Sequence, residues 1–533
     1  MNLPLGLSNT MLELLHEEAV PVQAIGERRY YMEARQTVIT FCTDTGKTSV
    51  SKNSPQVSCE ATLGTKQESN VVCVYPDYTF QTIDGFGCAM TEGTCYLLSK
   101  MEPETREAAL KCWFGPDGMN ARFIRIPIDS CDYSLEEYQA VADPLADPEL
   151  ETFSIDRDRM YILPVVKEAL ELAGGQLSVL MSPWSPPYQW KTPPEKQEND
   201  TQVYGGLPDP IDYSRPDRKN GGRLKSEYYG SWARYLVKYV QAYLNEGIPV
   251  TMLTVQNEAS AATNWDSCVW SGEEESIFLR DHLYPELERA GHAERIGIYV
   301  WDHNKERMIE HIDEMMANGI EDLVQGFAYH WYSGDHFGAL SLLHGRYPDM
   351  MLMHSESCGL HMPGRVLPVE LPDCAKETLP PWIAAALEHT PAEVDYADAV
   401  SYAHDIIGDI NNGMNRFIDW NLTVDKRGGP RHVAGGFAAP IVTEDDGSYS
   451  LTVSYHFLKA IAQAVQPGAV RLGISTYGTQ VEAAAVKNAV GSTAILLLNR
   501  DQADVKMYLR LSGTITGVLL PAGSLSTVTF DLV

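Results

Sequence analysis

Between residues 83 and 420 the sequence repeats one pattern eight times: a short apolar run ends in polar residues and leads into a stretch with helical periodicity. That periodicity is clearest at 161–173, 232–245 and 274–290, where apolar residues recur at steps of three and four. Such alternation predicts a parallel sheet with crossover helices, and eight units close the sheet into a (β/α)8, or TIM, barrel. The eight strand candidates are 83–89, 123–128, 177–182, 252–256, 296–301, 326–331, 350–354 and 417–420.

The two ends of the chain have a different pattern. Short β-rich runs between turn residues occur before the repeat, at 37–42 and 71–74. After one helical stretch at 455–465 they return, with a spacing that is typical of a β-sandwich. These later runs are 481–486, 493–498, 505–511 and 526–532. We therefore predict an α/β protein in which a TIM barrel at 79–434 carries a β-sandwich domain built from both chain ends, 1–78 and 435–533.

Charge and composition restrict the partners of the protein. The chain has 41 Lys and Arg against 72 Asp and Glu, a formal net charge of −31, which repels nucleic acid. No apolar run approaches the roughly 18 residues that cross a bilayer, and the first residues do not resemble a secretory signal, so we expect a cytoplasmic protein without a membrane span. The 10 cysteines lack CxxC spacing, and we expect neither a metal nor a cofactor.

Two glutamates follow strand candidates that lie on opposite sides of such a barrel. The fourth run leads through Asn257 to Glu258, and the seventh leads to Glu356. Taken singly, a glutamate at a strand end is more often a salt bridge or a helix cap. Catalytic groups of TIM barrels, however, lie at the C-terminal ends of the strands. Two carboxyl groups that meet there are what glycoside hydrolysis requires, since one protonates the leaving oxygen while the other attacks the anomeric carbon or activates water.

Aromatic residues accumulate at the same strand ends. Trp184 and Tyr332 follow the third and sixth runs, and Trp420 ends the eighth. Indole rings pack well on the flat C–H faces of sugars. Asp132 and Asn257 lie at the same barrel mouth and are suited to sugar hydroxyl groups. Core packing is an alternative for each Trp, and a loop cap is an alternative for Asp132. As a set these residues favour a carbohydrate pocket.

Seven segments of the chain, in the same order, closely resemble the motifs of glycoside hydrolase family 30. The similarity extends from about residue 79 to residue 473 and implies a TIM barrel with an attached β-sandwich, a β-glycoside substrate and a retaining mechanism. The segments are IDGFGCAMTEG (83–93), RIPIDSCDYS (125–134), SPWSPPYQWKT (182–192), TVQNEAS (254–260), HWY (330–332), HSESCG (354–359) and DWNL (419–422) with a following GGP (428–430).

The resemblance implies a role for each matched residue around the two carboxylates. Glu258 looks like the acid/base of the family and Glu356 like its nucleophile. Arg125, His330 and Tyr332 match residues around the nucleophile, where a cation and a phenol would stabilise its negative charge. We also expect the charge of Glu356 to raise the pKa of Glu258, so that Glu258 is protonated when the substrate binds.

The resemblance also implies which residues hold the sugar. Asp132, Trp184 and Trp420 match positions that bind the sugar at the nonreducing end. Arg431 departs from the pattern, because the β-glucosidase members of the family have an Asn after Gly-Gly-Pro. This departure leaves open how the hydroxymethyl side of the sugar is recognised.

The leading hypothesis is a retaining exo-acting β-glycosidase of the β-glucosidase type, which removes a terminal β-linked sugar by double displacement. Loops at 193–223 and 359–381, which the resemblance does not cover, are expected to block the cleft. The same scaffold could instead serve a β-xylosidase, a β-fucosidase, a β-galactosidase or an endo-β-1,6-glucanase. A non-catalytic carbohydrate-binding protein is the alternative from another class, but such a protein has no need of both carboxylates.

Overall fold

A computed structural model describes residues 33–42, 45–59, 69–194, 217–359, 391–433 and 436–531. Most of the two loops at 193–223 and 359–381, and with them their expected role in closing the cleft, lies outside the described residues. Four strands precede the barrel: β1 (Glu33–Cys42), β2 (Lys47–Asn53), β3 (Val57–Cys59) and β4 (Val71–Ile83).

Eight parallel strands then close into a barrel, which confirms the TIM barrel predicted from the repeat. Neighbours along the chain are neighbours in the barrel, and the last strand pairs with the first. Apolar side chains fill the lower interior, among them Phe123, Leu180, Met252, Tyr299 and Met353. The barrel strands are β5 (Gly85–Ala89), β6 (Phe123–Ile128), β7 (Ser178–Pro183), β8 (Val250–Thr254), β9 (Gly297–Asn304), β10 (Gly326–His330), β11 (Met351–Glu356) and β12 (Met414–Asp419).

Helices with one apolar face cover the outside of the barrel. In the helix Tyr229–Asn245, for example, Trp232, Tyr235, Tyr239 and Tyr243 are buried at steps of three and four. The helices are α1 (Glu92–Lys100), α2 (Pro103–Phe114), α3 (Asp156–Met160), α4 (Ile162–Leu172), α5 (Tyr229–Asn245), α6 (Gly272–Phe278), α7 (Tyr284–Arg289), α8 (Met308–Ala317), α9 (Phe337–Arg346), α10 (Pro391–Asn411) and α11 (Val453–Ala464).

The helix predicted at 274–290 is divided into α6 and α7. A capping box between Ser271 and Glu274 begins α6. A π-helical turn, Leu279–Leu283, separates it from α7, and Pro285, which has no N–H to donate, lies in the first turn of α7. Within the described residues, none of the helices combines the length and the apolar composition needed to span a membrane.

The remaining strands form the sheet domain. A small three-stranded sheet follows the barrel, made of β13 (Thr423–Asp425), β14 (Ile441–Thr443) and β15 (Tyr449–Leu451). The larger sheet contains β16 (Ala469–Tyr477), β17 (Glu482–Lys487), β18 (Thr493–Asn499), β19 (Val505–Leu511), β20 (Thr514–Leu520) and β21 (Ser524–Asp531). Its ten strands run in the order β2, β1, β21, β18, β17, β16, β4, β19, β20, β3.

Strands from both ends of the chain are interleaved in this larger sheet. Antiparallel pairing joins β1 to β21, and β4 lies between β16 and β19. The larger sheet has an apolar core of its own, which includes Val72, Leu472, Ile495, Met507 and Phe530. The prediction of a β-domain built from both chain ends is therefore confirmed, while the domain limits at 78 and 434 stay a prediction. Strands β16 and β20 were not predicted, because half-exposed positions and Gly517 interrupt their apolar pattern.

Candidate active site

Glu258 and Glu356 meet at the C-terminal mouth of the barrel. Glu356 is the last residue of β11, and Glu258 lies four residues beyond β8 in the left-handed conformation, with φ at +51°. Both carboxyl groups face His330, whose Nδ1 is 3.5 Å from Oε1 of Glu258 and 4.0 Å from Oε1 of Glu356. Because both distances are measured from the same nitrogen, the two oxygens are at most 7.5 Å apart, the sum of 3.5 and 4.0 Å.

Glu356 is held by a buried cation and a phenol. Arg125 donates through Nη1 to Oε2 of Glu356, and the hydroxyl of Tyr332 donates to Oε1 at 3.0 Å. The same guanidinium donates through Nη2 to Asn257 and to Asp302, both at 2.8 Å. Although burial alone lowers the pKa of Arg125, the charges of Asp302 and Glu356 raise it above its usual value. Arg125 is therefore a fixed positive charge beside the carboxylate of Glu356.

The two tryptophans predicted to bind the sugar pack against this cation. Arg125 lies 4.8 Å from the ring centre of Trp184 and 5.6 Å from that of Trp420. The two indole rings stack on each other at 5.1 Å with an interplanar angle of 24°. Both are nearly fully buried in a cluster that also contains Tyr133 and Cys358. The structure thus brings the aromatic residues together with the carboxylates at the barrel mouth.

Glu258 is held by two imidazoles. His303 Nδ1 lies 3.4 Å from Oε1 of Glu258, on the same oxygen that His330 contacts. Burial alone raises the pKa of Glu258, but the contacts with His303 and His330 outweigh it and lower the pKa below its usual value. The expected direction was wrong, because the two imidazoles act on this carboxylate more strongly than the charge of Glu356.

His330 carries the positive charge of this half of the site. Its Nε2 lies 3.2 Å from Oδ1 of Asp302, so both ring nitrogens face carboxylates. Burial alone lowers its pKa, whereas the charges of Glu356, Asp302 and Glu258 raise it to about 9. In the free protein at neutral pH, a proton is thus held on His330 next to Oε1 of Glu258.

Asp132 and Arg431 form a buried ion pair at the same mouth. Arg431 Nη2 donates to Oδ2 of Asp132 at 3.1 Å, with side chains 4% and 8% exposed. The guanidinium lies 5.0 Å from the ring centre of Tyr133 and 5.2 Å from that of Phe437. Burial raises the pKa of Asp132 to about 7, and the charge of Arg431 acts in the opposite direction. The residue that departs from the family pattern therefore contacts Asp132 directly.

Sequence reasoning missed four residues of this site. Asp302 and His303 contact Arg125 and Glu258, and the only sequence signal for them is a polar run at the end of an apolar strand. Trp265 and Phe437 are partly buried against the aromatic cluster of the pocket. Both lie in segments between the recognisable motifs, so neither spacing nor periodicity marked them.

Among the described residues, three groups of His, Asp and Glu are close enough to hold a metal ion. They are Glu258, His303 and His330; Glu137, Asp266 and His432; and His354, Asp405 and Asp409. In the third group Lys305 Nζ lies 2.6 Å from Asp405 and 2.8 Å from Asp409, where a cation would bind. The first group contains one of the two paired carboxylates, and the chemistry of such a pair needs no ion.

Comparison with known proteins agrees with this geometry. Residues 83–363 and 387–457 match the glycosyl hydrolase family 30 TIM-barrel domain, and residues 468–528 match the β-sandwich domain of the same family. The chain belongs to glycoside hydrolase family 30, whose members hydrolyse glycosidic bonds with retention of configuration.

Relatives within the family have different specificities. Over 456 residues the chain is 25% identical to the lysosomal acid glucosylceramidase of Mus musculus, covering 82% of this chain and 78% of that protein. Over 436 residues it is also 25% identical to the endo-1,6-beta-D-glucanase neg1 of Aspergillus fumigatus, covering 80% of each. The crystal structure of SrfJ from Salmonella typhimurium has a TM-score of 0.78 and 28% identity, covering 93% of this chain and 99% of that one.

Proposed function

We propose that the protein is an exo-acting β-glycosidase of the β-glucosidase type, with Glu356 as the nucleophile and Glu258 as the acid/base. The observation that carries the assignment is the unequal environment of two carboxyl groups that face one imidazole. A permanent cation and a phenol hold Glu356, while two imidazoles hold Glu258. A nucleophile needs a stable negative charge, whereas an acid/base exchanges a proton in every turnover.

The contacts of Glu356 and Glu258 support a double-displacement mechanism. One oxygen of Glu356 attacks the anomeric carbon, and Arg125 and Tyr332 keep the carboxylate oriented for that attack. Glu258 protonates the leaving oxygen with the proton that His330 holds next to Oε1 in the free protein. Water then replaces the departed aglycone, and Glu258 removes its proton as the water attacks the glycosyl ester on Glu356.

Asp132 and Arg431 are proposed to bind the hydroxyl groups of the terminal sugar. A carboxylate accepts hydrogen bonds and a guanidinium only donates them, so the pair suits hydroxyl oxygens that do both. Arg431 is buried between Tyr133 and Phe437, which supports a pocket that is closed at this end. A closed pocket accommodates one terminal sugar and therefore favours exo action.

Substitution of each carboxylate tests the assignment. Glu356→Ala should abolish turnover of every substrate, because no glycosyl ester can form. Glu258→Ala should retain activity on glycosides with good leaving groups. Its rate should increase with added azide, which attacks the glycosyl-enzyme without base assistance. Glu275→Gln is the matched control, since Glu275 is also buried and paired with an imidazole, that of His311 at 2.7 Å. Equal losses of both substrate types in Glu258→Ala would refute its role.

An endo-acting β-1,6-glucanase is the second candidate, because a relative with that name has the same identity to the chain, 25%, as the glucosylceramidase. The products formed from a linear β-1,6-glucan distinguish the two. Exo action releases monosaccharide from the first minutes, whereas endo action releases oligosaccharides first. Hydrolysis of nitrophenyl β-glucoside, β-xyloside, β-fucoside and β-galactoside then identifies the sugar.

A further inference from the structure

Strand β9 contains two consecutive non-glycine residues in the left-handed conformation. The φ angles are +77° at Trp301 and +46° at Asp302, and this conformation is unfavourable for side chains as large as Trp. Pairing with β10 shifts at the same place, since Ala328 pairs with Trp301 and Tyr329 with His303. Asp302 is therefore the extra residue of a β-bulge.

The bulge brings two adjacent side chains to the active site. Successive side chains of a regular strand point to opposite faces. Here Asp302 accepts a hydrogen bond from Arg125 at 2.8 Å, and His303 Nδ1 lies 3.4 Å from Oε1 of Glu258. The carbonyl of Asp302 also accepts the backbone N–H of Glu258 at 2.8 Å. Both the backbone and the carboxyl group of Glu258 are thus in contact with the bulge.

Packing fixes the ring of His303. The imidazole is 1% exposed and lies 5.2 Å from the ring centre of Trp301. Trp301 is held in turn, because its Nε1 donates to the carbonyl of Asn304 at 3.0 Å. His330 divides its contacts among Glu258, Glu356 and Asp302, and His303 adds a second contact on Oε1 of Glu258.

We propose that the bulge in β9 makes His303 a positioning residue for Glu258. The inference rests on the proposed function, in which Glu258 is the acid/base. By holding Oε1 against a fixed ring, His303 keeps the carboxyl group in the orientation from which it protonates the leaving oxygen. A misplaced acid lowers the rate most for substrates that depend on protonation.

The test compares His303→Phe and His303→Asn on aryl β-glycosides whose leaving groups span a wide range of pKa. His303→Phe should lower kcat/KM by about 10- to 100-fold for the poorest leaving groups and by less than about twofold for dinitrophenol. His303→Asn should restore most of the loss, because an amide N–H can replace the ring N–H. The midpoint of thermal unfolding is measured for each variant.

His311→Asn is the matched control. His311 is also buried and contacts the Trp301 ring, at 4.8 Å, but it pairs with Glu275, so its variant should keep the original dependence on leaving-group pKa. Equal loss on every substrate in His303→Phe, or no loss, would overturn the inference. If Glu258→Ala still shows azide rescue in that case, the proposed function stands and only the role of His303 fails. If the azide rescue is missing, the proposed function itself fails.

Discussion

Glu356 and Glu258 contact the same imidazole, yet the groups that hold them differ in kind. Arg125 and Tyr332 donate to Glu356, and Arg125 is tied down further by Asn257 and Asp302. Glu258 lies between two histidines. Arginine keeps its charge at every pH at which proteins are folded, whereas the imidazole of His330, with its pKa raised to about 9, can still give up its proton.

The difference teaches how one pocket can give two carboxyl groups opposite tasks. A permanent cation stabilises a charge that has to persist until bond formation. Imidazoles allow a charge to appear and disappear without leaving a buried ion unpaired. The chemistry of the neighbours, more than the carboxyl groups themselves, distinguishes the two halves of the site. Two substitutions test this distinction, and a third tests the cation beside Asp132.

Removing the permanent cation should have the largest effect. Arg125→Gln leaves Glu356 and Asp302 without their shared cation. We expect kcat/KM to fall by about 10³-fold, for good and poor leaving groups alike. The loss of one partner from a fully buried ion pair should also lower the free energy of unfolding by about 3–5 kcal/mol. Steady-state kinetics and denaturant titration measure the two effects.

Arg157→Gln is the control for this substitution. Arg157 pairs with Glu92 and Glu136 and lies 4.9 Å from the ring centre of Tyr138, away from the two catalytic candidates. Its variant should keep the kinetic constants. A loss in Arg125→Gln that is confined to poor leaving groups would contradict this prediction, because it would show that the cation acts on Glu258 and not on Glu356.

Removing the phenol should have an intermediate effect. Tyr332→Phe deletes the hydrogen bond to Oε1 of Glu356, and a hydrogen bond to a charged group contributes about 1.5–3 kcal/mol. We expect kcat/KM to fall by about 10- to 100-fold, again independently of the leaving group. Tyr239→Phe is the control, since that phenol donates to buried Asp158 at 2.7 Å. Loss of activity in the control alone would show that the fold, and not the nucleophile, responds to such deletions.

The smallest effect is expected at the third carboxylate, as a change in pH dependence. Asp132 has a pKa of about 7 and Arg431 lowers it, so Asp132 is a charged acceptor above this pH and takes up a proton below it. In Arg431→Gln the pKa rises, and the fall of kcat/KM toward acid pH should begin at higher pH. At pH 6 the deficit should be about tenfold or less.

Measurement of kcat/KM from pH 5 to pH 9 checks this prediction. Arg427→Gln serves as the control, because Arg427 is exposed and lies four residues before Arg431 in the chain. If kcat/KM begins to fall at the same acid pH in Arg431→Gln and in the unaltered protein, protonation of Asp132 does not limit binding.

Sequence patterns predicted the barrel and both carboxylates because these depend on local features. An apolar run such as that of β6 marks a strand, and the rule that barrels place their chemistry at strand ends selects Glu258 and Glu356. The bulge in β9 is a feature of register between strands, so His303 could not be placed beside Glu258. The pKa of Glu258 was mispredicted for the same reason.

The interleaving of both chain ends in one sheet determines the order in which the domain can be completed. Gln36 donates to Ser526 across 490 residues, and β4 lies between two strands that are synthesised after the whole barrel. During translation β1 to β4 must therefore wait with open edges until the last strands emerge, a state that invites wrong pairing. A fragment that begins at β16 would lack the central strand β4. The barrel is thus an insertion between strands of the sheet domain, and the sheet can be completed only after the barrel has been synthesised.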